Sequence, residues 1–572
     1  MGLSGKQINI EIEQDVQKLL SAEEGEVYTD SGEEIQVALA FPDVYGFGQP
    51  SLAIHTLYRE LNLRLDTFAG RVFLPDSSQG ADFGKSDVPL FTWENRKPVK
   101  DVDILGFSVP YETYYVNVLR MLELAQVNLR GRDRDRSDPL VIAGGPCITY
   151  NPEPLAEFID ACVIGEAEEV IQEIVQVYKD WRTEGKNSRE DLLYRLSKLQ
   201  GVYVPSFYEP IYGKDNVIEK IVSHFRAPTK VTRRWIQDLD AFPCVSASVT
   251  PLSIYDSKRI HLEIARGCAY KCRFCYLSYG IKKARQRSIE NTIKLVKERL
   301  HFTREIKLIY PADIEIDYAR ELISQLHAIG ASVLVGSVRA DTLNEYVVEA
   351  VSRSGKSSLS IAPEAPEGRL RNFVNKTIKD DDFLRATRMT IRAGIPNISL
   401  FCIIGLPTET KSDIEDLALL IKKIRKQMDS CGGRAGILEV GVNPLFPKPL
   451  TPLQWVGMES LENFQSKLDY LKKILEHESN ISIHTIPSSE AFIQGLLSRG
   501  DRKLGDVLYK IYKAEQTISN WKNALYEVGL QPESYFRERE VDEVLPWATL
   551  DTEESGHLSR LFAQGQQRLQ RV

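Results

Sequence analysis

Three thiols stand close together in Cys268-Ala-Tyr-Lys-Cys272-Arg-Phe-Cys275, spaced C-x3-C-x2-C. Thiolates are soft ligands, suited to iron–sulfur clusters or to zinc. The stretch holds no fourth Cys or His, whereas a structural zinc site takes four closed ligands. Three ligands on a cubane leave one iron open, and an open iron can bind a substrate-like molecule and pass it one electron. Two plainer readings stand beside this one, a chance clustering of buried cysteines and a zinc site. The other cysteines, Cys147, Cys162, Cys244, Cys402 and Cys431, are scattered. Cys162 and Cys402 fall in apolar strands and read as inert core residues, and Cys147 reads as packing.

The elements that must position these thiols form a repeating pattern. Ile260–Ala265 reads as a strand directly before the cysteines. Ile306–Tyr310, Ala331–Gly336, Ser358–Ile361, Ile398–Ile404 and Leu438–Asn443 follow as further strands, with helices between. The first helix is marked by Ser288 as N-cap and by an apolar stripe of Ile289, Ile293, Val296 and Leu300. Six such units predict a barrel or partial barrel, whose working face lies where the strands end. Upstream, the strands Ile35–Ala40, Val102–Val109, Leu140–Ala143 and Ala161–Ile164 alternate with helical patterns. That alternation predicts a parallel sheet with helices on both faces, and ligands beyond the carboxyl ends of its strands.

The expected organisation is α/β. An N-terminal extension covers 1–34, a Rossmann-like domain 35–200, a hairpin-bearing linker 201–255, a barrel 256–485 and a helical C-terminal domain 486–572. At 572 residues the chain exceeds a single core. Hydrophobic residues make up 43% and charged residues 27%, ordinary for a globular chain. The net charge of −8 gives no broad attraction to nucleic acid. No run of about 18 apolar residues suggests a membrane span, and the charged N-terminus does not read as a secretory signal. The Met-Gly start is weak evidence for myristoylation. A reducing, cytoplasmic setting is the expectation.

Polar groups recur where strands end. In the barrel they are Ser337-Val-Arg339-Ala-Asp341, Ser360-Ile-Ala-Pro363-Glu364-Ala365 and Gly405-Leu-Pro407-Thr-Glu409. Upstream they are Phe41-Pro-Asp43-Val-Tyr45, Gly106-Phe-Ser108-Val-Pro110, Gly144-Gly145-Pro146 and Gly165-Glu166-Ala-Glu168. Each has a bland reading. A carboxylate at a strand end is often a helix N-cap, Gly405-Leu-Pro407 reads as a turn, and Arg339 as a surface ion pair. His55 reads as a helix-surface histidine. Lys282, Lys283, Arg285 and Arg287 read as a solvated basic face.

The cysteine spacing, on a loop after the first strand of a six-unit barrel, resembles the radical S-adenosylmethionine superfamily. The resemblance implies a 4Fe–4S cluster on Cys268, Cys272 and Cys275. Its open iron would chelate S-adenosylmethionine, and reduction would produce a 5′-deoxyadenosyl radical. It also implies S-adenosylmethionine contacts from Tyr276, Ser337, Arg339, Ser360, Glu364, Gly405 and Glu409. The upstream order resembles the cobalamin-binding domain that precedes many such barrels. This implies a cobalamin site at Asp43, Tyr45, Ser108, Gly144, Gly145, Gly165 and Glu166. The D-x-H-x-x-G signature of methionine synthase-type domains is absent, so no histidine ligand to cobalt is expected. Ser488-Ser-Glu490-Ala-Phe492 through Gly500-Asp501-Arg502-Lys503, Tyr535-Phe-Arg537-Glu538-Arg539 and Leu545-Pro546-Trp547 look like the tail of one branch of that group, of unknown reaction. The leading expectation is methyl transfer to an unactivated carbon, with a flavodoxin- or ferredoxin-type reductant as partner. The alternatives are a cobalamin-assisted rearrangement or cyclisation, a methylthio-type RNA modification, and a non-catalytic cobalamin or cluster sensor.

Overall fold

The structure, a computed structural model, describes residues 5–26, 28–75, 89–185, 188–213, 216–251, 258–281, 283–311, 315–432, 435–551 and 555–570. The chain divides into two compact units. The first comprises Met1–Ile260, Leu496–Tyr535 and Asp542–Glu553, and the second His261–Gly495, Phe536–Val541 and Glu554–Val572. Residues 486–572, expected as a helical domain of their own, are thus shared between the two units. Their helices are short and amphipathic, and they bury their apolar faces on larger layers. In the first unit Arg502 pairs with Glu153 at 3.1 Å, and Asn151 donates to the carbonyls of Ser498 and Gly500. No helix among the described residues is long and apolar enough to cross a membrane.

The first unit is built on a six-stranded sheet. Its strands are β1 (Ile35–Phe41), β2 (Thr67–Phe73), β3 (Ile104–Ser108), β4 (Leu140–Gly144), β5 (Ala161–Val163) and β6 (Val202–Tyr203), in the order β2-β1-β3-β4-β5-β6. All neighbours are parallel except β5 and β6. All seven residues of β1 are buried, as expected of a strand covered on both faces. For this strand order the general rule places a ligand at the carboxyl ends of β1 and β3, where the order reverses. Tyr208–Tyr212 (β7) and Ile218–Ser223 (β8) pair as a hairpin within the stretch read as a linker.

The second unit carries β9 (Ile260–Glu263), β10 (Glu305–Ile309), β11 (Ser332–Val335), β12 (Ser358–Glu364), β13 (Asn397–Ile404), β14 (Leu438–Pro444) and β15 (Ile481–His484). They form sheets β9-β10-β11 and β12-β13-β14-β15. A parallel bridge of Val338 to Ile361 links the two sheets. All six strands read from the sequence are present. The seventh, β15, was not read, because four residues of alternating burial leave no apolar run. Ser288 caps the first barrel helix as expected, its hydroxyl accepting the Asn291 N–H at 3.1 Å. Ile293 and Val296 are buried on that helix.

Candidate functional site

The cysteine loop is held from several sides within the second unit. Gly267, at φ 79°, turns the chain out of the first strand. The backbone N–H of Arg273 donates to the Val374 carbonyl at 2.9 Å, and the Asn375 amide to the Lys271 carbonyl at 2.8 Å. These bonds zip residues 271–273 onto 374–375 and bring Lys376 to the Cys272 side. Lys376 is buried and pairs with Glu364 at 2.9 Å. Arg339 pairs with Asp341 at 2.8 Å, and its guanidinium lies 3.5 Å from the centre of the Tyr270 ring. Arg339 is 8% exposed, so it is not the surface ion pair of the bland reading. Two cations therefore flank a loop of three thiols. Each cation is already paired with a carboxylate, so their pull on the thiols offsets only part of the cost of burying a thiolate.

Among the described residues no three His, Cys, Asp or Glu side chains stand gathered to hold one metal ion. A cubane asks for a different geometry, because each thiolate binds a separate iron at a separate corner. Cys268, Cys272 and Cys275 are all unpaired thiols on this loop. Cys275 lies close enough to the other two to interact electrostatically with each. The donor set fits a three-cysteine cluster.

Burial pushes the Cys272 thiol up to about 11, against the pull of Lys376 and Arg339, and raises Cys275 as well. Both thiols are protonated at neutral pH before iron arrives, so assembly must release their protons. We expect cluster uptake to rise steeply from neutral to alkaline pH, by about tenfold per unit for each proton released. Reconstitution followed by visible absorbance checks this, and a flat profile would contradict it.

The remaining barrel residues divide into two groups. Ser337 is exposed, while Tyr276 and Ser360 are half-buried. Glu364 adopts φ 62° and is tied to Lys376. Glu409 is committed to the fold. One carboxylate oxygen accepts the Gly405 N–H at 2.9 Å and the Lys467 ammonium at 2.9 Å, and its side chain is 2% exposed. Lys467 also pairs with Glu459 at 2.7 Å. This clamp closes the 405–409 turn, so Glu409 shapes the strand end through Gly405. The same turn borders a cavity of about 1040 Å³, lined also by Glu459, Lys467, Phe536 and Phe562 and by none of the three cysteines.

Gly405 sits at φ 91°, and a Cβ there would lie 3.1 Å from a Glu459 carboxylate oxygen. Gly405→Ala should therefore cost about 1–2 kcal/mol from the left-handed backbone alone, with the clash adding to it. Thermal unfolding measures the loss, and an unchanged midpoint would contradict the strain.

In the first unit the strand-end residues fall along one sheet edge, after the adjacent strands β1, β3, β4 and β5. Asp43, Ser108 and Gly144 are half-buried there. Five of the expected residues have structural partners, Asp43 through the Val44 N–H, which its carboxylate accepts at 2.7 Å. The Tyr45 hydroxyl donates to Glu23 at 2.8 Å and its ring stacks on Trp93 at 4.9 Å. Glu23 is itself gripped by the buried Arg71 at 3.0 Å. A Cβ on Gly145 would meet the Val109 carbonyl at 2.8 Å, and one on Gly165 the Arg234 carbonyl at 2.1 Å. Those glycines admit the chain's own backbone. Glu166 accepts the Ile236 N–H at 2.8 Å.

Two readings are corrected. His55 is 1% exposed rather than on a helix surface, because its helix Leu52–Asn62 turns that face to the sheet. Arg287 is 1% exposed and donates to the Glu263 carbonyl at 3.1 Å, so it braces the first strand rather than facing solvent. Lys282 lies outside the described residues. Lys376 and Arg273 were missed. No local pattern marks either, since both gain their place from the pairing of two segments a hundred residues apart.

Comparison with known proteins gives a consistent family. The family model for radical SAM proteins, N-terminal, matches residues 53–205, and that for the radical SAM superfamily matches 262–421. An uncharacterized protein of Methanocaldococcus jannaschii is 28% identical over 475 residues, covering 82% of this chain and 90% of its own. An uncharacterized methyltransferase of Pyrococcus horikoshii is 25% identical over 304 residues, covering 50% of this chain and 58% of its own. Among solved structures, the radical S-adenosylmethionine methyltransferase TsrM of Kitasatospora setae, with tryptophan substrate and a SAM analog bound, shares the fold at a TM-score of 0.53 and 13% identity. That match covers 86% of this chain and 97% of the other. A second structure of the same enzyme, with cobalamin and a [4Fe-4S] cluster bound, matches at 0.52 and 12%, covering 87% and 98%.

Proposed function

Since this chain belongs to the radical S-adenosylmethionine superfamily and is an enzyme of that type, we propose that Cys268, Cys272 and Cys275 hold its 4Fe–4S cluster and that it transfers a methyl group to an unactivated carbon, with cobalamin as the methyl carrier. The cluster and S-adenosylmethionine are the cofactors of such an enzyme. The observation that carries the residue assignment is the C-x3-C-x2-C loop, zipped onto residues 374–375 and flanked by Arg339 and Lys376.

When bound, the cluster and S-adenosylmethionine supply a 5′-deoxyadenosyl radical, and cobalamin supplies the methyl group. The chain's own residues position and insulate. Lys376 and Arg339, each paired with a carboxylate of the chain, would offset part of the negative charge at Cys272. Glu364 holds Lys376 in place. The Glu409–Lys467 clamp keeps the 405–409 turn rigid at the end of β13. Asp43, Ser108 and Gly144 stand at strand ends of the first unit, where a large ring can lie against the sheet edge. This supports residues 35–200 as the cobalamin domain and 256–485 as the radical barrel. The likeness to the P. horikoshii methyltransferase and the fold shared with TsrM support methylation among the superfamily's reactions. A methylthio-type reaction generally needs a second cluster, and the remaining cysteines form no second triplet.

The test is anaerobic reconstitution with iron, sulfide and cobalamin, followed by S-adenosylmethionine, the source of both products and of the methyl group, and a flavodoxin- or ferredoxin-type reductant. We expect 5′-deoxyadenosine and S-adenosylhomocysteine to be released together. 5′-Deoxyadenosine without S-adenosylhomocysteine from the cobalamin-loaded protein would overturn methylation and leave a rearrangement or cyclisation.

A further inference from the structure

Charge is unevenly spread along this chain. Asp and Glu outnumber Lys and Arg overall, by 80 to 72. Yet between Glu263 and Glu290 stand seven Lys or Arg and no acidic residue, between Glu367 and Asp380 four and none, and after Glu554 three and none. The fold of the second unit gathers these three segments at the cysteine loop. The Arg273 N–H meets the Val374 carbonyl at 2.9 Å, and the Asn375 amide meets the Lys271 carbonyl at 2.8 Å. The Arg568 guanidinium reaches the Asn375 side chain at 3.1 Å and the Asn372 carbonyl at 3.3 Å. The short strands Ala265–Arg266 and Arg285–Gln286 pair antiparallel, which sets Arg285 opposite Arg266 just ahead of Cys268.

Part of this charge works inside the fold. Arg266 pairs with Glu263 at 2.6 Å, Arg369 with Asp413 at 2.6 Å, Arg371 with Asp380 at 3.1 Å and Lys376 with Glu364 at 2.9 Å, while Arg273 and Arg287 are buried. The rest is turned outward. Lys271, Lys283 and Arg568 are exposed and Arg285 is half-buried. Cys268 and Cys275 are half-buried too, so the loop itself reaches the surface. Cations gathered on one rim repel one another, and an anionic partner relieves that repulsion and is steered by it. The basic stretch gives way to Asp380-Asp381-Asp382, which open the next helix, and to Glu290 in the first turn of the helix that Ser288 caps. A patch bounded by carboxylates suits a compact acidic body. An extended polyanion would run onto the acidic remainder of a chain whose net charge is −8.

We propose that this rim is the docking surface for a compact, acidic one-electron carrier protein, with Lys271, Lys283, Arg285 and Arg568 meeting its carboxylates. The carrier gives up one electron, and the cluster proposed on Cys268, Cys272 and Cys275 is the centre that takes it up, with no bond made or broken. The inference rests on the radical reading above and goes beyond it by giving the electron donor a surface. It concerns binding, and its test does not require turnover.

Isothermal titration calorimetry on the cluster-loaded full chain supplies the test, with three probes. A flavodoxin is the acidic one-electron protein, cytochrome c a basic one, and a single-stranded RNA oligonucleotide the extended polyanion. Flavodoxin should bind and cytochrome c should not. Flavodoxin affinity should fall steeply as ionic strength rises to about 0.15 M, where charges more than about 8 Å apart are screened. The triple variant Lys271→Gln, Lys283→Gln, Arg568→Gln keeps an N–H donor at each position and removes the charge. It should weaken flavodoxin binding by about tenfold or more. Lys283→Gln alone, a change outside the tethered loop, should weaken it by a smaller factor. A second triple variant, Lys426→Gln, Lys472→Gln, Lys473→Gln, makes the same change in net charge on the helices Lys411–Ser430 and Leu461–Leu475, and should bind like wild type. Equal iron content and unfolding midpoints close to wild type make the proteins comparable. Flavodoxin that does not bind, equal weakening by both triple variants, or RNA bound more tightly than flavodoxin would overturn the docking surface. The expected pattern in a protein that releases no 5′-deoxyadenosine would refute the radical reading instead.

Discussion

Cys272→Ala should give a folded protein that retains no intact 4Fe–4S cluster and releases no 5′-deoxyadenosine above background. Removing outer partners of a metal ligand already costs about 10–100-fold, so loss of one of three ligands should exceed about a hundredfold. The fold should survive because Cys272 is a small residue whose loop is anchored by its neighbours. The Arg273 N–H bonds the Val374 carbonyl and Asn375 bonds the Lys271 carbonyl, and neither bond involves the thiol. Iron and sulfide content, visible absorbance and product release read the same event. S-Adenosylmethionine cleavage that persists in the alanine protein would show that Cys272 is not a ligand. Conversion to serine sharpens the test, since it keeps the size of the side chain and removes only the soft donor.

The parts of this molecule that were readable in advance are those fixed by local periodicity. Apolar runs such as Ile398–Ile404 marked strands because one face of each is buried by helices. Ser288 marked a helix start because its hydroxyl satisfies a backbone N–H that the helix leaves open. The cysteine loop was readable because its three thiols follow one another within one short stretch of chain. The remainder depends on long-range pairing. Tyr45 and Glu166 stand at strand ends as expected, yet their polar atoms are engaged by Glu23 and by the Ile236 N–H, which are distant in sequence. Glu409 stands at a strand end as expected, and its tie to the Gly405 N–H and to Lys467, 58 residues on, left no trace in the local sequence. β15 was hidden because its alternation suits a sheet with one open face, a pattern unusual for parallel strands.

Arg273 shows what such pairing implies for the cluster. It lies between two cysteines, is 2% exposed, and has no carboxylate partner among the described residues. Its guanidinium donates to the Leu561 carbonyl at 2.9 Å, the Asn372 carbonyl at 3.2 Å and the Phe373 carbonyl at 2.5 Å. Burial and the nearby Arg568 push its pKa down, which marks a cation held by dipoles rather than by a counter-charge. Asn372 and Phe373 end the short helix Arg369–Phe373, whose carbonyl end favours a cation. Leu561 belongs to the helix Ser555–Gln570, where Gly565 leaves room for the arginine. A Cβ at 565 would lie 3.2 Å from both Arg273 Cδ and Nε. One side chain thus ties the cysteine loop to two helices. Arg273→Ala would leave the Phe373 carbonyl without its donor, a loss of about 1–3 kcal/mol, while the Asn372 carbonyl keeps the Asn375 N–H at 3.1 Å and Leu561 stays in its helix. We expect a lower unfolding midpoint and, separately, faster loss of iron from protein that is still folded, because the loop between Cys272 and Cys275 loses its tether. Arg273→Lys should restore part of the stability, since a single ammonium cannot span both helices as the planar fork does. Gly565→Ala provides an independent check. In an open helix that change is favourable by about 1 kcal/mol, whereas here the added methyl presses on Arg273 and should destabilise both the fold and the cluster. A Gly565→Ala protein that is more stable than wild type, with unaltered iron retention, would show that the arginine does not need the space and that the tether is not what holds the loop.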